Sequence, residues 1–291
     1  MTLTGRSTGD VTIREPQGPA EMRALEDLQL RVWGSAEREV VPASHIRAVQ
    51  HAGGLVLGAY RDDLLVGFAY GFAAPPHGPW ERGVGLHSHL VAVLPGNRGV
   101  GVGRVLKWAQ RRWCLERGLD WITWTFDPMQ GGNARLNFHH LGVRSREYLV
   151  DFYGTMAGDL GGGQPSDRLL VHWELRAKEV AQLGERFDLG LGPEPAPRPA
   201  GTWLLTADAA GLPERREEPA AGGALRVAVP ENANRLFRED PPAALAWRVA
   251  LRGAMAPALE GGYVVTAFER GGYLLERVSD GPGSRSESQP L

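Results

Sequence analysis

Leu90-Val-Ala-Val-Leu-Pro-Gly-Asn-Arg-Gly-Val-Gly-Val-Gly-Arg-Val-Leu-Lys-Trp108 is the stretch from which the fold is read. The apolar run Leu90 to Leu94 reads as a buried strand, and Pro95-Gly96 stops it. Glycines then stand at every second position, Gly99, Gly101 and Gly103. From Val102 the apolar residues Val102, Leu106, Ala109 and Trp113 fall on one face of a helix. Strand, glycine-rich turn and helix start follow in that order. Such a turn aims several backbone N–H groups the same way, at the positive end of a helix dipole. The predicted ligand is an anion, above all a phosphate.

Three glycine-loop patterns compete for this stretch. A dinucleotide fingerprint counted from Gly101 needs a glycine where Leu106 stands. A Walker A loop counted from Gly96 reaches Gly101 correctly but then meets Val102 instead of lysine. The pattern Arg98-x-x-Gly101-x-Gly103 fits throughout.

The 291 residues allow one large domain or two modest ones. A formal net charge of -2 gives no electrostatic pull toward nucleic acid or membrane. Basic residues are nearly all arginine, with Lys107 and Lys178 the exceptions. A single cysteine, Cys114, excludes an internal disulfide and reads as a buried structural thiol. No apolar run has the length of a membrane span, and Met1 to Asp10 lacks a signal-peptide core. A cytoplasmic location is the default expectation.

Along the chain, residues 1–10 read as a disordered arm. Val11 to Arg14 alternate as a short strand, and Glu21 to Trp33 form an amphipathic helix. Pro42 opens a second helix to about Gln50. Leu55–Tyr60 and Leu64–Ala73 make a hairpin, Ala74–Gly83 a loop, and Val84–Leu94 the strand before the glycine turn. The helix runs to about Arg117. Strands at Trp121–Phe126, Tyr148–Tyr153 and Arg168–Leu175 follow, with a short helix at Asn133–Leu141 and a glycine-rich loop at 158–167. Residues 184–224 read as an irregular linker. Residues 225–279 read as a β-α-β-β module, for packing or dimerisation, or else a partial repeat of the core or a lid. Residues 280–291 read as a tail.

The order β-αα-β-β-β-α-β-α-β-β over residues 11–176, with the Arg98-x-x-Gly101-x-Gly103 loop between the appropriate strand and helix, resembles the GNAT N-acyltransferase superfamily. Ala134, Phe138 and Gly142 occupy the places of that family's A-x-x-x-Y-x-x-x-G pattern. The pieces Leu28-Gln-x-x-Val-Trp-Gly34, Phe126-Asp-Pro128, Asn133-Ala134 and Pro165-Ser-Asp-Arg168 look like a subgroup of longer predicted acetyltransferases, some thought to N-succinylate amino acids. The implied fold class is α/β (α+β): a mixed central sheet flanked by helices over 11–183, plus the smaller C-terminal module at 225–279. The implied reaction moves an acetyl or succinyl group from acyl-coenzyme A to the amine of a small molecule, an amino acid among the candidates, by direct attack in a ternary complex. The implied co-substrate is acetyl-CoA or another acyl-CoA, with no metal, and a homodimer is among the expected assemblies.

The resemblance places the pyrophosphate on the amides of Gly99, Val100, Gly101, Val102 and Gly103, with charge from Arg98 and Arg104. It places pantetheine along the backbone of Val91, Ala92 and Val93, and it puts Asn133 and Phe138 beside the cofactor. Asn133 also reads as the cap of its helix. The family's tyrosine, which can protonate the leaving thiolate, is Phe138 here and cannot donate a proton. His87 and His89 alternate onto one side of their strand and are candidate bases. Asp127 and His139 are the further candidates for proton transfer, and Arg168 is a candidate for holding an acceptor carboxylate. The competing class is a GNAT-fold protein that binds CoA or its thioesters without turnover, as sensor or assembly module.

Overall fold

A computed structural model describes residues 11–34, 40–76, 78, 81–154, 163–194, 197–216 and 222–277, with the backbone of residues 3–4. In chain order the elements begin β1 (Leu3–Thr4), β2 (Thr12–Arg14), α1 (Gly18–Trp33), α2 (Ala43–His51), β3 (Leu55–Arg61), β4 (Leu64–Ala74) and β5 (Gly85–Val93). Next come α3 (Val102–Leu115), β6 (Trp121–Phe126), α4 (Gly131–Ala134) running on into a π-helical segment (Arg135–Leu141), β7 (Arg144–Leu149), β8 (Arg168–Glu174) and α5 (Lys178–Asp188). The last are β9 (Thr202–Ala207), β10 (Pro213–Arg215), β11 (Leu225–Ala228), α6 (Ala233–Glu239), α7 (Pro241–Glu260), β12 (Tyr263–Glu269) and β13 (Gly272–Arg277). The tail 280–291, the arm apart from β1, and the loop residues 77, 79–80 and 158–162 lie outside the described residues.

The first eight strands lie in the order β1-β2-β3-β4-β5-β6-β8-β7. Side chains alternate across them because strand residues point to opposite faces. One face carries Val56, Phe68, Tyr70 and Ala92, covered by Met22, Leu25 and Leu28 of α1 and Ile46 of α2. The other carries Leu55, Leu57, Leu86 and Ile122, covered by Val102, Leu106, Ala109 and Trp113 of α3. Helix α1 ends where Gly34 turns left-handed (φ 58) and donates its N–H to the Leu30 carbonyl. The expected element order is present from β2 to β8.

Three expectations need correction. The strand placed at Tyr148–Tyr153 is Arg144–Leu149, because the chain turns at Asp151, which has φ 47. The Asp151 carboxylate accepts the Ser166 N–H, and Asp167 accepts the Asp151 N–H, so the turn is stitched shut. The linker at 184–224 is in part regular: it holds the end of α5, β9 and β10. These strands escaped periodicity because β9 and β10 form the far edge of the sheet, where only Leu204 and Leu205 are buried. The C-terminal module also differs from a repeat of the core. β11 pairs with β13, whereas β2 pairs with β3.

That module extends the sheet as β7-β12-β13-β11-β9-β10, giving 13 strands among the described residues. The junction is thin in backbone terms, with Val265 opposite Ser145. Side chains secure it instead. Arg248 of α7, 1% exposed, grips Asp127 with both terminal nitrogens, at 3.2 and 2.9 Å. One turn on, Arg252 grips the fully buried Asp167 side-on, donating from Nε at 2.9 Å and from one terminal nitrogen at 2.7 Å. Bidentate pairs of this kind fix orientation as well as distance. Tyr148 donates a further bond to Asp167 at 2.8 Å, and Tyr273 donates to the Pro128 carbonyl at 2.7 Å. The segments Phe126-Asp-Pro128 and Pro165-Ser-Asp-Arg168 therefore hold the sockets into which α7 docks.

Arg248→Met should destabilise the protein by about 3–5 kcal/mol, because it strands a desolvated carboxylate. Urea unfolding measures this. The double variant Arg248→Met/Asp127→Asn should recover part of the loss, and no recovery would show that packing, not charge, holds the joint.

Candidate functional site

The site begins where two parallel strands part. β5 and β6 pair at Leu86–Ile122 and His87–Thr123. Beyond this β5 continues to Val93 paired with β4, and β6 continues to Phe126 paired with β8. A bulge adds to the parting. Ser88 faces Gly71 and Leu90 faces Tyr70, which leaves His89 as the extra residue. The result is a V-shaped cleft with its apex at His87–Thr123 and its mouth beside the glycine turn.

At the mouth, Gly99 and Gly101 have φ of 78 and 91, and Gly101 is the N-cap of α3. L side chains rarely adopt such angles, so these two positions call for glycine. A Cβ at Gly99 would meet nothing within 4 Å, so the turn is open toward solvent. Val102 is buried and anchors the first turn of α3, while Val100 is 51% exposed. Val91 and Val93 bury their side chains toward α3, and Ala92 toward α1 and α2. Only main chain from these residues borders the cleft.

The two arginines of the turn take different positions. Arg98 donates to the carbonyls of Val93 at 3.1 Å and Val32 at 3.3 Å. It ties the turn to β5 and α1. Arg104 lies over Phe187, 5.3 Å from the ring centroid, with Nε buried and without a partner among the described residues.

His87 and His89 do share a face, with ring centroids 6.4 Å apart. His87 Nδ1 lies 3.1 Å from Thr123 Oγ1, across the last paired step. His89 sits among His45, Tyr70 and Phe72. Its pKa is pulled below the ordinary value by desolvation first and then by His45. Thr125 hydroxyl meets Tyr153 hydroxyl at 3.2 Å, and Arg168 lies 5.3 Å from the Tyr153 ring. Arg168 also donates to the Asp167 carbonyl at 2.8 Å. His45, Tyr70 and Phe72 thus join the two histidines. The sequence held no signal for this grouping, since they come from α2 and β4.

Other expected site residues are placed elsewhere. Asp127 is committed to Arg248 and to the Met129 N–H at 2.9 Å, so it is not available as a base. Asn133 is exposed and does not cap its helix, because α4 starts at Gly131 with Gln130 as N-cap. Phe138 is 3% exposed, packed 6.3 Å from Phe126 and 5.8 Å from Tyr273 at the seam between the halves. His139 and His140 lie on the π-helical segment with centroids 5.0 Å apart. Among the described residues no group of three His, Cys, Asp or Glu could hold a metal, and no helix is long and apolar enough to cross a membrane.

One polar group was missed outright. Lys107, Gln110 and Ser88 are all buried on the α3 side of the cleft's apex. Lysine and glutamine in a helix read as solvent-facing, and the scarcity of lysine in this chain was the only available hint.

No protein-family model and no curated protein sequence matches the chain. Solved structures do. One is Arabidopsis thaliana Naa50 in complex with the bisubstrate analogue CoA-Ac-MVNAL, at 16% identity and TM-score 0.44, covering 56% of this chain and 97% of that one. Another is yncA, a putative acetyltransferase from Salmonella typhimurium with its cofactor acetyl-CoA, at 20% identity, TM-score 0.43, and coverage of 57% and 95%. A third is the ribosomal-protein-S18-alanine N-acetyltransferase from Escherichia coli, at 14% identity, TM-score 0.44, and coverage of 57% and 94%.

The paired histidines of the π-helical segment carry a pH signature. Burial first, then His139, Arg104 and Arg135, pull His140 down to about 4. Burial and Arg135 also lower His139. An unfolded histidine titrates near ~6.5, so between that pH and about 4 the unfolded chain binds more protons. Stability should fall as pH drops through this window. His140→Asn should flatten that fall, read from urea midpoints at neutral and mildly acid pH. An unchanged slope would assign the acid sensitivity to other groups.

Proposed function

We propose that the chain is an acyl-CoA-dependent N-acyltransferase of the GNAT type. The observation that carries this reading is the β5–β6 ladder that stops at His87–Thr123 with a glycine nest at the open end. An anion on that nest would receive the amides of Gly99 to Gly103 and the dipole of α3. Open space over Gly99 fits close approach of a diphosphate. An extended pantetheine arm leading from it would find β5 main chain beyond Ser88 with no β6 partner, and could pair as an added strand does. A backbone N–H at the bulge would then polarise the thioester carbonyl.

On the far side of the apex, the face made by His45, Tyr70, Phe72, His87 and His89 supports an acceptor site. His89, with its pKa lowered, is neutral near pH 7 and suited to take a proton from the ammonium form of the acceptor before the free amine attacks. The acceptor in this reading is a small-molecule amine bearing a carboxylate, which Arg168 would meet. The acyl group is acetyl or succinyl. The proposal assigns the rate chiefly to positioning and to the carbonyl donor. Phe138, sealed into the seam, leaves the proton for the departing sulfur to another group.

Acetyl-CoA or CoA should raise the melting temperature of the protein, and thiol should be released when a suitable amine is present. Gly101→Ala forces a Cβ onto φ 91 and should abolish the CoA-dependent shift, while costing about 1 kcal/mol or more of stability. Protection by CoA without thiol release across an amino-acid and polyamine panel would favour the non-catalytic binding protein. Arg168→Ala should raise the acceptor's KM at least about tenfold and leave that for acyl-CoA little changed, as loss of a charge-assisted bond predicts. Equal effects on both would remove Arg168 from the acceptor site.

A further inference from the structure

Lys107 is buried on the inner face of α3, 4% exposed. Its Nζ donates to Ser88 Oγ at 3.0 Å and lies 3.5 Å from the centroid of the Trp124 ring. Ser88 and Trp124 are the residues immediately after the last paired step, one on each strand. The lysine therefore spans the apex of the cleft. Gln110 brackets the same hydroxyl, its Nε2 donating to Ser88 Oγ at 2.9 Å and its Oε1 accepting at 3.2 Å.

No carboxylate pairs with this amine among the described residues, and an ammonium buried without one is costly. Burial holds the Lys107 pKa well below the ordinary lysine range, and the titratable group bearing on it is Cys114 on the same helix. That thiol, pushed up to about 12 by burial, stays protonated. The Trp124 face nevertheless favours the cationic form when a proton arrives. The amine thus has a ring face that tolerates its protonated form, beside the place where a thioester in the cleft would react.

We propose that Lys107 carries a proton from the acceptor nitrogen to the departing sulfur. This rests on the acyl-transfer reading of the cleft. The amine adds through its lone pair to the thioester carbon, forming the N–C bond. Its nitrogen then sheds a proton, which the neutral Lys107 amine takes. As the C–S bond breaks with its electron pair going to sulfur, Lys107 returns that proton to sulfur. The products are an amide and a free thiol, and the lysine ends as it began. Ser88 and Gln110 are positioning residues that hold Nζ at the apex.

The test uses the fact that the chain has only two lysines. Protein labelled with 13C-lysine should give two side-chain signals by NMR. Lys178, exposed at the start of α5, gives the second signal. Lys107 should titrate far below the ordinary lysine range in the free protein, and its titration should move upward when CoA is added. Lys107→Met should lower kcat for thiol release by about 100-fold or more, the usual scale of proton-transfer catalysis, with acetyl-CoA affinity kept within about threefold. Lys107→Arg should fail to restore the rate, because arginine does not give up its proton. If Lys107→Met does not fold, Ser88→Ala should lower kcat about tenfold without changing acetyl-CoA affinity.

A variant that keeps its kcat, a parallel loss of affinity and melting temperature, or a Lys107 signal indifferent to CoA would overturn the proposal. Thiol release by wild type and by Lys107→Met alike sinks the lysine's role alone. Absence of any CoA binding by wild type sinks the acyl-transfer reading and the lysine's role together.

Discussion

Two parallel strands that stop pairing while both are still running constrain everything around them. Backbone N–H and C=O groups in a folded protein are almost always paired, and each one left buried and unmet costs about 1–3 kcal/mol. The parting of β5 from β6 is therefore not a casual defect. It is sustained from both sides: β4 holds β5 to its end, and β8 holds β6 to its end. The His89 bulge bends the first of these away. On the α3 side, Lys107 and Trp124 fill the apex with a polar contact that neither strand could make alone.

The C-terminal third bears on the same region from the other end. Asp127 follows β6 and Asp167 precedes β8, so both lie where the two strands meet the loops. Each is held by an arginine from α7, one helical turn apart. Buried pairs of this kind add less net stability than their contacts suggest, but they specify geometry. With Tyr148 bonded to Asp167, and Ser166 to Asp151, the end of β7 is tied to the start of β8. Tyr153 reaches from there to the Thr125 hydroxyl, and Arg168 lies over the Tyr153 ring.

The local pattern of this chain was enough for the core. The run Leu90–Leu94, the glycines at 99, 101 and 103 and the helical spacing from Val102 needed no tertiary knowledge, because a left-handed turn into a helix start is a short-range property. Hairpins, the αα pair and the shared face of His87 and His89 follow from period and alternation in the same way. Those arguments run over neighbours in sequence and hold wherever the segment sits.

Only the folded chain decided the rest, and distance along the sequence is the reason. Asp127 reads as a candidate for proton transfer until Arg248 meets it from 121 positions away. That Phe138 packs edge-on against Tyr273, far along the chain, is likewise invisible to local pattern. Lys107 reads as a solvated helix residue until two diverging strands wrap it, and then burial without a counter-charge changes what its nitrogen can do. A side chain's chemistry is set by what surrounds it, and here the surroundings come from β5, β6 and α7, which no local pattern brings together.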